Sequence, residues 1–256
     1  MLEWLFGSRQ SLLRKETTQH EVELMNISLW QSRMLSPSKR DKLIRWCRVF
    51  IAEKNWEGCN GQSITEEIQW AIAAAAGLMV LEYDGWYFDK TATLLVYPTP
   101  YKATVDARFV QSSNPILGGE FHRAGETIYR GPVILNWQDI EPARQHHNGG
   151  HHLVIHEFAH QLDMINGPSA DGLPPLPNGV DEVAWLRAFK AEYHAARDLV
   201  AAGHRILMDD YGLTQESEFF AVACELFFQL PDELAEYHPQ VFALLQQFFL
   251  FVVPDA

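Results

Sequence analysis

Between Pro37 and Asn55 the chain reads PSKRDKLIRWCRVFIAEKN, in which Leu43, Ile44, Cys47, Phe50 and Ile51 recur at helical spacing with lysines and arginines between them. One apolar stripe opposite a charged face predicts an amphipathic helix lying on a core. The segment SITEEIQWAIAAAAGLMVL, from Ser63 to Leu81, is patterned differently. Ser63 stands three residues before Glu66, as in a capping box, and the rest is apolar on every side, which predicts a central buried helix. Residues 1–35 are mixed and poorly periodic, consistent with a helix followed by a flexible stretch.

TATLLVYPTP and ETIYRGPVILNW are rich in β-formers and bounded by Pro and Gly, which predicts strands near 92–98 and 127–137. Between them, RFVQSSNPILGGEFHRAGE (108–126) has no clear period, and a loop of that length is expected to be functional. A second punctuated stretch, PSADGLPPLPNG, falls within 164–180, and three helical patterns follow near 181–200, 215–229 and 239–251. Strands first and helices after them imply an α+β fold. The expected division is an N-terminal helical extension over 1–62, packed on a core over 63–256.

Composition narrows the function. With 20 basic against 33 acidic residues the formal net charge is −13, which argues against direct nucleic-acid binding, because that affinity comes from Lys and Arg displacing counterions. Three cysteines without a CxxC pair favour a reducing compartment. The N-terminus lacks the apolar stretch of a secretory signal, and the longest apolar run, Ala71–Leu81, is too short to span a bilayer. A cytoplasmic protein is the expectation, with no membrane partner.

The candidate chemistry is in HEFAH, residues 156–160. His156 and His160 lie one helical turn apart on one face, close enough to share a cation. Glu157 is offset by one position, where its carboxylate reaches a water on the metal without being a ligand, which is how a metallopeptidase generates its nucleophile. A third ligand must come from elsewhere. Asp163 shares the face but lies about 10.5 Å of helical rise from His156, so it is assigned either to a hydrogen bond behind His160 or to one at the helix end. His151 and His152 read as exposed helix-start residues. In ESEFFAVACELFF (216–228), from Glu218 onward only Glu218 and Glu225 interrupt an apolar helix, seven residues apart on one face. Buried unpaired carboxylates cost several kcal/mol, so this pair should face a cation or its ligands, with Glu218 favoured as the ligand and Glu225 behind it.

HEFAHQLD, the NG and ADG that follow, and YGLTQESEFFAVACELFF resemble the Mlc titration factor A family of zinc-dependent peptidases. The likeness extends from about Pro37 through AIAAAAGLMVL, LLVYP and GPVILNW. The two metal-site segments are also similar to the catalytic domain of anthrax lethal factor. The resemblance implies a zincin-like metallopeptidase core, one zinc ion held by His156, His160 and Glu218, Glu157 as general base, and Tyr211 as the phenol that steadies a developing oxyanion. It also implies aminopeptidase-type activity on peptide substrates and a protein partner, the glucose-responsive repressor Mlc. The chain departs from lethal factor at Val222, where that protein has an acid, leaving Glu225 to take that place. A regulatory binding protein with an inherited or structural zinc is the alternative. GPVILNW is expected to be an edge strand that pairs with extended substrate, and 108–126 and 164–180 the walls or lid of its pockets.

Overall fold

The computed structural model describes residues 9–102, 122–123, 126–127 and 129–251. Chain order gives helix α1 (Gln19–Ser28), a 3₁₀ turn (Trp30–Arg33), α2 (Pro37–Glu53), strand β1 (Asn55–Gly58), α3 (Glu66–Met79) and β2 (Thr93–Tyr97). Four short strands follow, β3 (Tyr101–Lys102), β4 (His122–Arg123), β5 (Glu126–Thr127) and β6 (Val133–Asn136). The rest is helical: α4 (Trp137–Ala143), α5 (Leu153–Asp163), α6 (Glu182–Ala201), α7 (Glu216–Gln229), α8 (Pro231–Tyr237) and α9 (Pro239–Phe249).

The fold is mostly helical around a small sheet of order β1-β2-β6-β5, in which β1, β2 and β6 are parallel and β5 is antiparallel to β6. The α+β expectation therefore stands in outline, but strands and helices interleave where the sequence suggested strands first. Strand β1 has no apolar alternation, with Trp56 its one aromatic, and it reads as a strand only because Asn55–Gly58 pair with Thr93–Val96. The sheet thus reaches across the expected boundary at residue 62.

Helix α2 forms as its stripe predicts, with Ser36 capping Lys39 N–H and Pro37 in the first turn. It buries Leu43, Ile44, Trp46, Cys47, Val49 and Phe50 against α3. Gly77 allows the close approach: a Cβ there would lie 2.5 Å from the Trp46 ring. Helix α3 is buried almost all round, but its cap is Thr65, which accepts from Ile68 N–H, and not Ser63. Thr65 is the residue directly before the first helical turn, so it alone reaches the free N–H groups there. Among the described residues no helix is long and apolar enough to cross a membrane.

The expected strand at 127–137 is two strands joined by a turn at Tyr129–Arg130, where Arg130 has a positive φ of 56°. Strand β6 is hydrogen-bonded on both sides, to β2 through Leu94–Tyr97 and to β5 through Glu126 and Thr127. GPVILNW is therefore interior, as the full burial of Val133–Asn136 requires, and the edge-strand expectation is overturned. Among the described residues the edges are β1 and β5, and β5 lies against α5. Most of the expected functional loop 108–126 lies outside the described residues. The stretch 164–180 is not loose: Leu173, Leu176 and Val180 pack on the core.

Candidate metal centre

Helices α5 and α7 pack together and carry His156, Glu157 and His160 on one and Glu218 and Glu225 on the other. Helix α5 keeps His156, Glu157, Gln161 and Asp163 buried among Val154, Ile155, Phe158, Ala159 and Leu162. It ends at Asp163 with Met164 as C-cap. Helix α7 is buried along its length apart from its first residue, and its Glu218 and Glu225 project from one face towards α5.

Both acids reach the same ring. Glu218 Oε2 lies 3.0 Å from His156 Nε2 and 3.2 Å from His160 Nε2, while Glu225 Oε1 lies 2.8 Å from His156 Nδ1. Seven residues span about 10.5 Å of helix, so the two carboxylates close on His156 from opposite ends. Glu225 also accepts the His152 N–H through Oε2 at 2.5 Å, and Gln215 Nε2 donates to Glu218 Oε1 at 3.1 Å. Ligand atoms of His156, His160 and Glu218 all lie within 4.8 Å of one another, and all three residues are buried. Two imidazoles and a carboxylate are a donor set suited to a divalent transition metal.

The electrostatics fit a site built for positive charge. Burial alone would raise the Glu218 carboxyl, yet the two imidazoles hold it well below the usual carboxylate range. Burial alone would lower the His156 pKa, and the Glu218 and Glu225 carboxylates overcome it, so His156 lies well above its ordinary value. Asp163 behaves oppositely: burial, set against a hydrogen bond from Gly172 N–H, pushes its carboxyl up to about 6.

The other expected residues are distributed as follows. Glu157 is 4 % exposed and close enough to His156 to act on its charge. Tyr211, on the 3₁₀ turn Asp210–Leu213, places its ring 5.8 Å from that of His156 and is 56 % exposed. Asp209 fixes this turn by accepting the Tyr211 N–H at 2.7 Å, and Gly212 lets it lie on α7, since a Cβ would stand 3.1 Å from Val222. Asp163 Oδ2 accepts Gly172 N–H at 2.8 Å and stays close enough to His160 to interact with its charge. His151 is exposed as expected, but His152 is buried, at 1 % exposure, and supplies a backbone donor to Glu225. Sequence reasoning did not single out Gln215, and it met Gly172 only as the last residue of ADG, without a role. Gln215 has a local signal, lying one helical turn before Glu218; Gly172 has none, because its partners come from three separate helices.

A profile of the family described as Glucose-regulated metallo-peptidase M90 matches residues 5–250. The chain belongs to this family. Relatives include a Synechocystis sp. protein described as uncharacterised, 31 % identical over 251 residues, covering 96 % of this chain and 89 % of that one. The Mlc titration factor A of Serratia proteamaculans is 30 % identical over 239 residues, 90 % of this chain and 89 % of its own. That of Edwardsiella ictaluri is 31 % identical over 221 residues, covering 84 % and 81 %. Membership in the M90 family makes a metal ion the expected occupant of a buried His/Glu centre, and His156, His160 and Glu218 are the group of that kind among the described residues.

Proposed function

We propose that this protein is a zinc-dependent peptidase of the aminopeptidase type, with one zinc held by His156, His160 and Glu218. The observation that carries the reading is the convergence of three buried ligand atoms within 4.8 Å, beside a buried carboxylate, Glu157, that is not one of them. A purely structural zinc takes four protein ligands and needs no such acid. When bound, zinc supplies Lewis acidity, lowering the pKa of a water and polarising a carbonyl oxygen.

The chain's own residues do the rest. Glu157 takes the proton of the attacking water and passes it to the leaving amine, the role of a general base that then acts as an acid. Tyr211, exposed at the rim, donates its phenol hydroxyl towards the substrate carbonyl oxygen as negative charge develops there. Glu225 accepts from Nδ1 of His156, which fixes the tautomer and leaves Nε2 as the donor atom for the metal. Backbone pairing with an extended peptide belongs to the β5 edge beside α5 and not to β6.

Glu157→Gln removes the base and no ligand. The expected outcome is zinc content unchanged and peptide hydrolysis reduced towards the upper end of about 10²–10⁴-fold. Wild-type turnover in the zinc-loaded variant would end this mechanism.

The Mlc titration factor A relatives support a second role, binding of an Mlc-type repressor as a protein partner, in which the zinc site is inherited or structural. The same variant separates the two: a repressor surface distinct from the cleft keeps its affinity in Glu157→Gln, whereas loss of binding in folded, zinc-loaded protein means that the repressor occupies the cleft.

A further inference from the structure

The peptide unit at Gly172 is held from three sides. Asp163, the last residue of α5, accepts its N–H at 2.8 Å, and its carbonyl accepts Nε1–H of Trp185 at 2.9 Å. Its Cα rests on the first turn of α7, where an added Cβ would stand 3.0 Å from the Glu216 carbonyl oxygen. Gly172 also has φ +79°, a conformation that L side chains rarely adopt. Asp163 and Trp185 are fully buried, and Trp185 stacks on Phe189 at 4.5 Å. Asp163 follows His160 by three residues, and Glu216 precedes Glu218 by two. One peptide therefore stands between the end of the helix that carries the histidines and the start of the helix that carries the glutamate.

We infer that the Gly172 peptide is the spacer that sets where Glu218 meets His156 and His160, with Asp163 and Gly172 as positioning residues. The requirement is tight because a single oxygen, Glu218 Oε2, serves both imidazoles at 3.0 and 3.2 Å. A shift of the first turn of α7 by about 1 Å would take those contacts out of hydrogen-bond range. The stretch 164–180 is thereby a strut of the site and not a lid. The consequence for metal binding rests on the reading of these three side chains as ligands, whereas the consequence for their mutual contact does not.

The test uses the full chain in Gly172→Ala, Asp163→Ala, Asp163→Asn and Trp185→Phe, with Gly167→Ala as a loop control, since a Cβ at Gly167 meets nothing within 4 Å. Two quantities are read on protein shown to be folded by its thermal transition: the ¹⁵N resonances of His156 and His160 Nε2 without metal, and zinc affinity by chelator competition. Gly172→Ala and Asp163→Ala should move both Nε2 resonances towards those of Glu218→Gln and weaken zinc binding by roughly 10–100-fold, the range for groups that orient ligands. Asp163→Asn keeps an acceptor oxygen for Gly172 N–H and should restore most of both. Trp185→Phe loses the indole donor together with part of a ring packed on Phe189, Phe220 and Phe248 but leaves the Asp163 bond in place, and should give a smaller change of the same sign, which keeps the idea open to refutation if Gly172→Ala does not fold. Gly167→Ala should match wild type. Wild-type Nε2 resonances in folded Asp163→Ala and Trp185→Phe would overturn the spacer while leaving the metal reading intact. Responsive resonances in a protein whose wild type takes up no zinc would uphold the spacer and remove the metal reading.

Discussion

Helices α3 and α7 have nearly the same composition problem and opposite solutions. Each is 14 residues long, and each is apolar on almost every side. Helix α3 confines its acids, Glu66 and Glu67, to the first turn, where their side chains are 57 % and 47 % exposed. Helix α7 spaces Glu218 and Glu225 along its length and buries both, at 7 % and 4 % exposure. An acid in the first turn of a helix is favoured by the helix dipole and stays hydrated. An acid on a buried face has lost its water and must be repaid by partners, here the imidazoles and one backbone N–H. Burial of the charge, and not its position along the helix, thus separates site from scaffold, since Glu218 also stands in the first turn of α7.

The contrast sets the order of expected effects. Glu218→Ala should be the most severe, reducing bound zinc from about one per chain to a trace after dialysis, because three protein ligands are the minimum for such a site. Zinc retained at full occupancy in a metal analysis would reassign the third ligand. Glu225→Ala should rank next. It strands the donors at His156 Nδ1 and His152 N, each worth about 1–3 kcal/mol when buried unsatisfied, and weakens zinc affinity by roughly 10–100-fold without abolishing it. The reverse order of the two variants in a zinc titration would exchange their roles.

Acidification should expose the buried His152 next. Burial lowers its pKa to about 4, with Glu225 only partly offsetting this. A folded pKa below the unfolded value of about 6.5 means that the unfolded chain takes up the proton first. This contribution to stability is therefore complete above pH 6.5 and is lost as pH falls from 6.5 towards 4, a loss on the order of 3 kcal/mol. Urea unfolding at pH 7.5 and pH 5 checks it: His152→Leu should lose less stability than wild type between the two, and identical losses would mean that His152 does not titrate in this window. Last comes Glu66→Gln on α3, which removes only an exposed pair with His20. Its effect should stay within about 0.5 kcal/mol with zinc affinity unchanged. A larger effect would show that the exposed acids of α3 are not the passive half of the contrast.

Much of this was legible along the chain. Helix α2 follows from its apolar stripe, α3 and α7 from their continuous apolar runs, and the pairing of His156 with His160 from a four-residue interval. The interruption of the apolar α7 pattern by two acids points to Glu218 and Glu225. Less legible were the segments with no period of their own. Strand β1 exists because β2 offers it hydrogen bonds. Helix α4 was hidden because Pro142 sits inside it, and α8 because it is only seven residues long. The burial of His152, next to the exposed His151, reflects what packs over the start of α5 and not the residue type.

The sequence by itself determined which helical residues are candidates for the chemistry and on which face of a helix each stands, since both follow from local spacing at 3.6 residues per turn. Only the tertiary structure decided what those faces meet. That Glu218 and Glu225 grip one imidazole from both ends, that β5 and not β6 is the edge beside α5, and that Gly172 stands between the two site-bearing helices are all long-range facts. Each depends on the distance between elements far apart in the chain. Such a distance is set by the packing of side chains between them, and no periodic pattern within either element records it.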